Sequence, residues 1–262
     1  MDTDSFTTLV VSREGRIITA AFDNPETLNA VTPPVEHELV RFFHEVAVDG
    51  DCDVVILTGR GRVFSAGGDI DHIRDMAERP ETFDSHAAKR MICALLDCPK
   101  PVIAKVNGHA IGLGATLALM CDAVFAADHA KIGDPHVKMG FAAGDGGAIV
   151  WPLLIGHLRA KEYLMTGDPI LAPDAARIGL INHSVPAAEL DARVDSYARR
   201  LAAGATQAIG FTKVLCNLEL KQKVVALFDA SIAYERITNY SADHREAVAA
   251  YIEKRDPMFT GR

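Results

Sequence analysis

The chain has 262 residues, 49% apolar and 24% charged, the balance of a soluble globular protein large enough to bury a substantial core. Its formal charge of -8 argues against nonspecific nucleic-acid binding, although a local basic patch can still hold a phosphate on an acidic protein. The start, "MDTDSFTTLVVSREG", lacks the basic and apolar regions of a secretory signal, and no run approaches ~18 apolar residues, so neither export nor a membrane span is expected.

In chain order, "FTTLVVSREGRIITAAFD" predicts two strands around a turn at Glu14-Gly15. Pro33 and Pro34 open a helix to about Val48, with Val35, Leu39, Phe42, Phe43 and Val46 at helical spacing. "DVVILTG" (53–59) is an apolar run ended by glycine, as a strand buried on both faces requires. "PVIAKVNG" (101–108) reads the same way apart from Lys105, which either faces a ligand or snorkels to solvent. "AVFAAD" (123–128) follows a short helix. Strands alternating with helices predict an α/β core over residues 1–186. From about Ala187 four helical segments follow with little strand signal: "ELDARVDSYARRLAA", "TQAIGFTKVLCN", "KVVALFDASIAYERITN" and "SADHREAVAAYIEKR". Residues 187–262 are therefore expected to form a helical C-terminal region, with Pro186 near the boundary. The five cysteines (Cys52, Cys93, Cys98, Cys121, Cys216) are odd in number and contain no C-x-x-C, which suits free thiols in a reducing cytoplasm better than disulfides or zinc.

Two segments are suited to present backbone N–H groups. In "GRGRVFSAGGDI" (59–70) a strand ends in Ala66-Gly67-Gly68, and Asp69 caps the helix that follows. In "NGHAIGLGATLALMCD" (107–122), Gly112-Leu113-Gly114 opens a helix. A helix start carries unpaired N–H donors, and two such ends facing each other form an oxyanion hole. The same glycines also suit plain strand-to-helix turns. No G-x-G-x-x-G and no P-loop is present.

The order "FDNPETLNAV", "LTGRGRVFSAGGDI", "KPVIAKVNGHAIGLGATLALMCDAVFAAD", "IGDPHVKMGFAAGDGG", "LTGDPILAPDAARIGLINHSV" and "EAVAAYIEKRDPMFTG" resembles the enoyl-CoA hydratase/isomerase family, the crotonases, from about Leu9 to Gly261. The resemblance implies an α/β crotonase-like spiral of ββα units and a C-terminal helical region. It also implies assembly as a homotrimer or dimer of trimers, and an acyl-CoA substrate that brings coenzyme A with it, with no other cofactor and no metal. It places the oxyanion hole on the backbone N–H groups of Gly68 and Leu113.

Hydratases of the family carry two glutamates, at the positions held here by Thr116 and His136. A threonine hydroxyl is no strong base near neutral pH, though it can orient water. Histidine titrates near neutrality and works best when a third group fixes its tautomer. Asp145 lies nine residues on in a glycine-rich loop, and the expected pair is Asp145 supporting His136 as general base. "DPHVKMGFAAGDGGAIVWP" also resembles the β-diketone hydrolases of the superfamily, which use a histidine–aspartate pair at this spacing. A loop histidine is also commonly a surface group, and Asp145 also suits capping "GGAIVWPLLIG".

The expected function is hydration of an α,β-unsaturated acyl-CoA. The alternatives are retro-Claisen hydrolysis of a β-dicarbonyl C–C bond and a non-catalytic binding or scaffold protein; the acidic chain shows no basic stripe for RNA. Further candidates for the substrate are Arg60 and Arg62 at a CoA phosphate. Ala66, Gly112, Ile70, Ile73, Met76, Phe83 and Met91 are candidates along the acyl chain, where core packing would demand the same residue types. By analogy with the family, Tyr234, Tyr240 and Phe259 would cover a neighbouring subunit's site.

Overall fold

The computed structural model describes residues 1–79, 81, 84 and 86–262. Gly15, at a left-handed φ of 58°, turns β1 (Leu9–Glu14) back onto β2 (Ile17–Phe22) in an antiparallel pair with Leu9 opposite Phe22. β2 continues in parallel with β3 (Val54–Gly59), and β5 (Val102–Val106), β7 (Ala123–Ala127) and β10 (His183–Val185) extend the sheet in the order β1-β2-β3-β5-β7-β10.

A second sheet has the order β4-β6-β8-β9, from β4 (Val63–Ser65), β6 (His109–Ile111), β8 (Lys131–Gly133) and β9 (Ile170–Leu171). Successive strand pairs β3/β4, β5/β6 and β7/β8 each place their first strand in the larger sheet and their second in the smaller. Helices follow: α2 (Ile70–Glu78) and α3 (Ala87–Asp97), then α4 (Leu113–Leu119), then α5 (Gly147–Thr166). This is the expected spiral of ββα units.

The alternation in β3 explains why the run reads apolar throughout. Val55 and Leu57 enter the main core with α1 (Pro33–Val48), whereas Val54 and Ile56 join Ile17, Ile103 and Phe125 under Val194 and Ala198 of α7 (Leu190–Ala202). α1 buries the five residues expected from its spacing. Lys105 reaches Asp191 of α7 at 2.7 Å, so the cation leaves the sheet toward solvent.

Two helical details differ from the sequence reading. "GGAIVWPLLIG" continues past Gly156 to Thr166, with a non-helical Gly156 at φ 77° marking a kink four residues after Pro152. The segments "TQAIGFTKVLCN" and "KVVALFDASIAYERITN" are one helix, α8 (Thr206–Asn239), because the intervening "LELKQ" holds no glycine or proline and favours helix. α9 (Ala242–Glu253) follows, capped by Ser241 on the His244 N–H at 3.0 Å.

Candidate active site

The two glycine turns lie against each other. Gly67 (φ 86°) packs so that a Cβ on it would meet the Gly112 Cα at 3.4 Å. Val31, just before α1, donates its N–H to the Gly67 carbonyl at 2.7 Å and bridges Gly68. Gly112, at φ 54°, donates to the Gly133 carbonyl at 2.8 Å and hands the chain to Leu113, the first residue of α4. Gly68 and Leu113, proposed from the sequence as a pair, are thus on adjoining backbone segments. Asp69 is a cap, as expected: its carboxylate accepts the His72 N–H at 3.0 Å.

His136 opens a 3-10 turn (His136–Met139) after β8, and a Cβ on Gly112 would lie 3.6 Å from its Cε1. Its Nε2 is 3.2 Å from Asp145 Oδ2, so the structure brings together the two residues paired from their spacing. Thr116, wholly buried on α4, donates its hydroxyl to the other Asp145 oxygen at 3.4 Å. Asp145 therefore touches both positions where hydratases of the family hold glutamate. It does not cap α5; Gly146 occupies that place.

The sequence reading missed a second carboxylate. Asp134 bonds His136 Nδ1, so the imidazole lies between two aspartates, and Asp134 itself is 2% exposed. Burial alone would discharge the ring, yet the charges and hydrogen bonds of Asp134 and Asp145 outweigh it and hold the His136 pKa well above the ordinary value. A signal was present: an aspartate two residues before the histidine in "GDPH" can turn back onto its ring. Gly147 keeps the place open, since a Cβ there would collide with the second Asp134 oxygen, which is buried with no hydrogen-bond partner among the described residues.

Glu235 of α8 was missed as well. It is buried, its Oε2 has no hydrogen-bond partner among the described residues, and it faces the Gly144 backbone. Burial first, then the Asp145 and Asp134 charges, push its carboxyl up to about 8 against the opposing pull of His136. Phe228, Ile232, Glu235 and Asn239 are buried at helical spacing, so an acid on an apolar face was the available signal. Glu36, in the first turn of α1, is raised to about 7 by burial, Asp84 and Asp145 against Arg90. His244 of α9 supports the turn that carries His136: its Nδ1 bonds the Met139 carbonyl at 2.7 Å and its ring stacks on Phe141 at 4.1 Å.

The remaining candidates divide. Ile73 approaches Gly68, with its Cδ1 3.3 Å from where a Cβ would stand, and Ile70 is half-buried on the same helix. Ala66 is half-buried and donates its N–H to Leu28. Met91 is wholly buried in the main core and Met76 is buried on α2, while Phe83 lies outside the described residues. Arg60 is exposed and paired with Asp23 at 2.8 Å, and Arg62 is exposed. Tyr234, Tyr240 and Phe259 are exposed. Asp134, His136 and Asp145 offer ligand atoms within 4.8 Å of one another. A metal on either ring nitrogen would have to displace an aspartate already bonded there. No helix among the described residues is long and apolar enough to cross a membrane.

Comparison with known proteins agrees with this fold. The profile of the family described as "Enoyl-CoA hydratase/isomerase" matches residues 12–262. A Mycobacterium bovis protein named "Probable enoyl-CoA hydratase echA8" is 33% identical, covering 98% of this chain and 100% of its own. A "Short-chain-enoyl-CoA hydratase" of Clostridium acetobutylicum is 31% identical over 94% of this chain and 95% of its own. A crystal structure of an enoyl-CoA hydratase/isomerase from Mycobacterium paratuberculosis superposes with a TM-score of 0.87 at 32% identity, covering 93% of this chain and 98% of that one.

Proposed function

The chain belongs to the enoyl-CoA hydratase/isomerase family, and from that premise we propose that it adds water across the double bond of an α,β-unsaturated acyl-CoA, or runs the reverse. The observation that carries this reading is the Asp145–His136 pair, 3.2 Å apart, beside the contact of Gly67 with Gly112.

In this mechanism the thioester oxygen lies between the Gly68 and Leu113 N–H groups, which stabilise it as it becomes an enolate. Asp145, steered by Thr116 and His136, accepts a proton from water as the hydroxyl bonds to Cβ, and the double-bond electrons move onto the thioester oxygen. The His136 imidazolium delivers its Nε2 proton to Cα as the enolate collapses. One proton then passes from Asp145 to His136 along their hydrogen bond, which restores both groups and leaves one water added. Asp145 takes the role of base here, in place of the His136 expected from the sequence, because the two carboxylates beside the ring favour the imidazolium. Both relatives named above are called hydratases, which favours hydration over C–C bond hydrolysis or a binding role.

Loss of enoyl absorbance from crotonyl-CoA and longer homologues on adding purified protein tests the reading. Activity on at least one chain length is expected, and none at any length from folded protein would overturn it. His136→Ala should lower kcat by about 10²–10⁴-fold, the size of an acid–base contribution.

Assembly as a homotrimer or dimer of trimers is part of the proposal. Its support is apolar side chains left in solvent by one chain: Leu158 (86% exposed) and Met165 (73%) on α5, Phe211 (60%) and Leu215 (67%) on α8. Residues 187–262 would contribute most of that surface. The cysteine pattern supports a cytoplasmic setting.

A further inference from the structure

Two helices begin near the residues of the candidate site. On one side α2 begins beside Gly68, which Ile73 approaches. On the other side α9 begins against the turn that carries His136: His244 holds the Met139 carbonyl, and Phe141, on which it stacks, lies 6.1 Å from the His136 ring. Between these helices is a cavity of about 560 Å³, lined by Arg74, Ala77 and Glu78 from α2 and by Arg245, Val248 and Ile252 from α9, among others. Arg74 follows Ile73 in sequence and Arg245 follows His244, so each helix turns from candidate site to cation within one residue. Four residues of α2, from Ile73 to Ala77, advance about 6 Å, the reach of a short acyl chain.

Ala77, Val248, Ala249 and Ile252 give the cavity apolar lining, and its charged lining holds two arginines against one acid. Among the described residues Arg74 is tied to Asp71, its exposed neighbour one turn back, at 3.0 Å. Such exposed pairs are worth little and exchange readily for a better anion. Arg245 donates one N–H to the Tyr240 carbonyl at 3.1 Å and retains further donors. A neutral alkyl tail would offer the two exposed guanidinium groups no acceptor, whereas a terminal carboxylate would meet both.

We infer that this cavity between α2 and α9 binds the far end of the acyl chain and that Arg74 and Arg245 select acyl-CoAs ending in a carboxylate. The inference rests on the acyl-CoA reading and adds the substrate class, a short dicarboxylic thioester. A CoA phosphate has the same anionic chemistry, so the test must separate the two ends of the ligand.

Calorimetric binding of adipyl-CoA and hexanoyl-CoA does so: both are saturated, both have six acyl carbons, and they differ at the terminal group. Adipyl-CoA should bind the wild-type chain about tenfold more tightly, the effect of roughly one net charge-assisted hydrogen bond. The Arg74→Ala/Arg245→Ala double variant should erase that difference and leave hexanoyl-CoA binding within about twofold. Equal wild-type affinities would overturn the inference without using a variant. Equal weakening of both ligands by the double variant would also overturn it, assigning the arginines to coenzyme A. Failure of both thioesters to bind would remove the acyl-CoA reading itself, and this inference with it.

Discussion

His136 has a carboxylate on each ring nitrogen, and the two partners answer to different changes. Asp145→Asn removes the proposed proton acceptor and should lower kcat by about 10²–10⁴-fold. Asp134→Asn leaves Asp145 in place but removes one of the charges that raise the imidazole pKa, so the alkaline limb of the pH–rate profile should move to lower pH. An unmoved limb would show that Asp134 does not set the protonation state. Glu235 makes a separate prediction through stability. Its folded pKa, about 8, is above the ordinary 4.5, so the stabilisation is complete below about 4.5 and is lost as pH rises toward 8. His136, also raised, works in the same direction at higher pH. Thermal midpoints should therefore fall from pH 5 to 8 in the wild type and fall less in Glu235→Gln, which stays neutral. Of these residues, His136 and Asp145 were legible because they share one loop and Asp134 because it is two residues away, although its signal was not read. Glu235 is 99 residues from His136, and no local pattern joins them.

At the scale of elements, α8 decides most of what the local reading missed. It packs against α3 and α5 and carries Glu235 near its end. Near its start Lys213, itself buried, reaches Asp122 at 2.8 Å and the Lys100 carbonyl at 2.8 Å, while Asp122 also accepts the Val102 N–H. One ion pair thus fixes the helix to the edge of β5. Lys213→Met would leave the Asp122 carboxylate without its cation, and burial already pushes that group up. Chemical denaturation should show a loss of about 3 kcal/mol, as for other buried pairs broken on one side. Asp122→Asn added to Lys213→Met should recover part of it, because an amide tolerates the place better than an unpaired charge. The sequence divided α8 in two because its buried face changes partner along its length. The apolar positions resume at Val224, Phe228 and Ile232 after a polar stretch whose residues are good helix formers.

For the whole molecule, the exposed apolar side chains of α5 and α8 predict self-association. Light scattering on the purified protein should give the mass of three or six chains, and Phe211→Glu with Leu215→Glu should lower it. A monomeric wild type would contradict the assembly. The sequence by itself determined the alternation of strands with helices, the two glycine turns and the spacing of His136 from Asp145. Each of these is local: alternation and apolar runs set strands, helical spacing sets α1, and glycine marks the backbone conformations that other residues resist. Tertiary structure alone decided that Gly67 meets Gly112, that a second aspartate closes on the imidazole, and that burial raises the pKa of a glutamate from a distant helix behind them. Those outcomes depend on which surfaces pack and how much water they exclude, and electrostatic energy changes steeply with both.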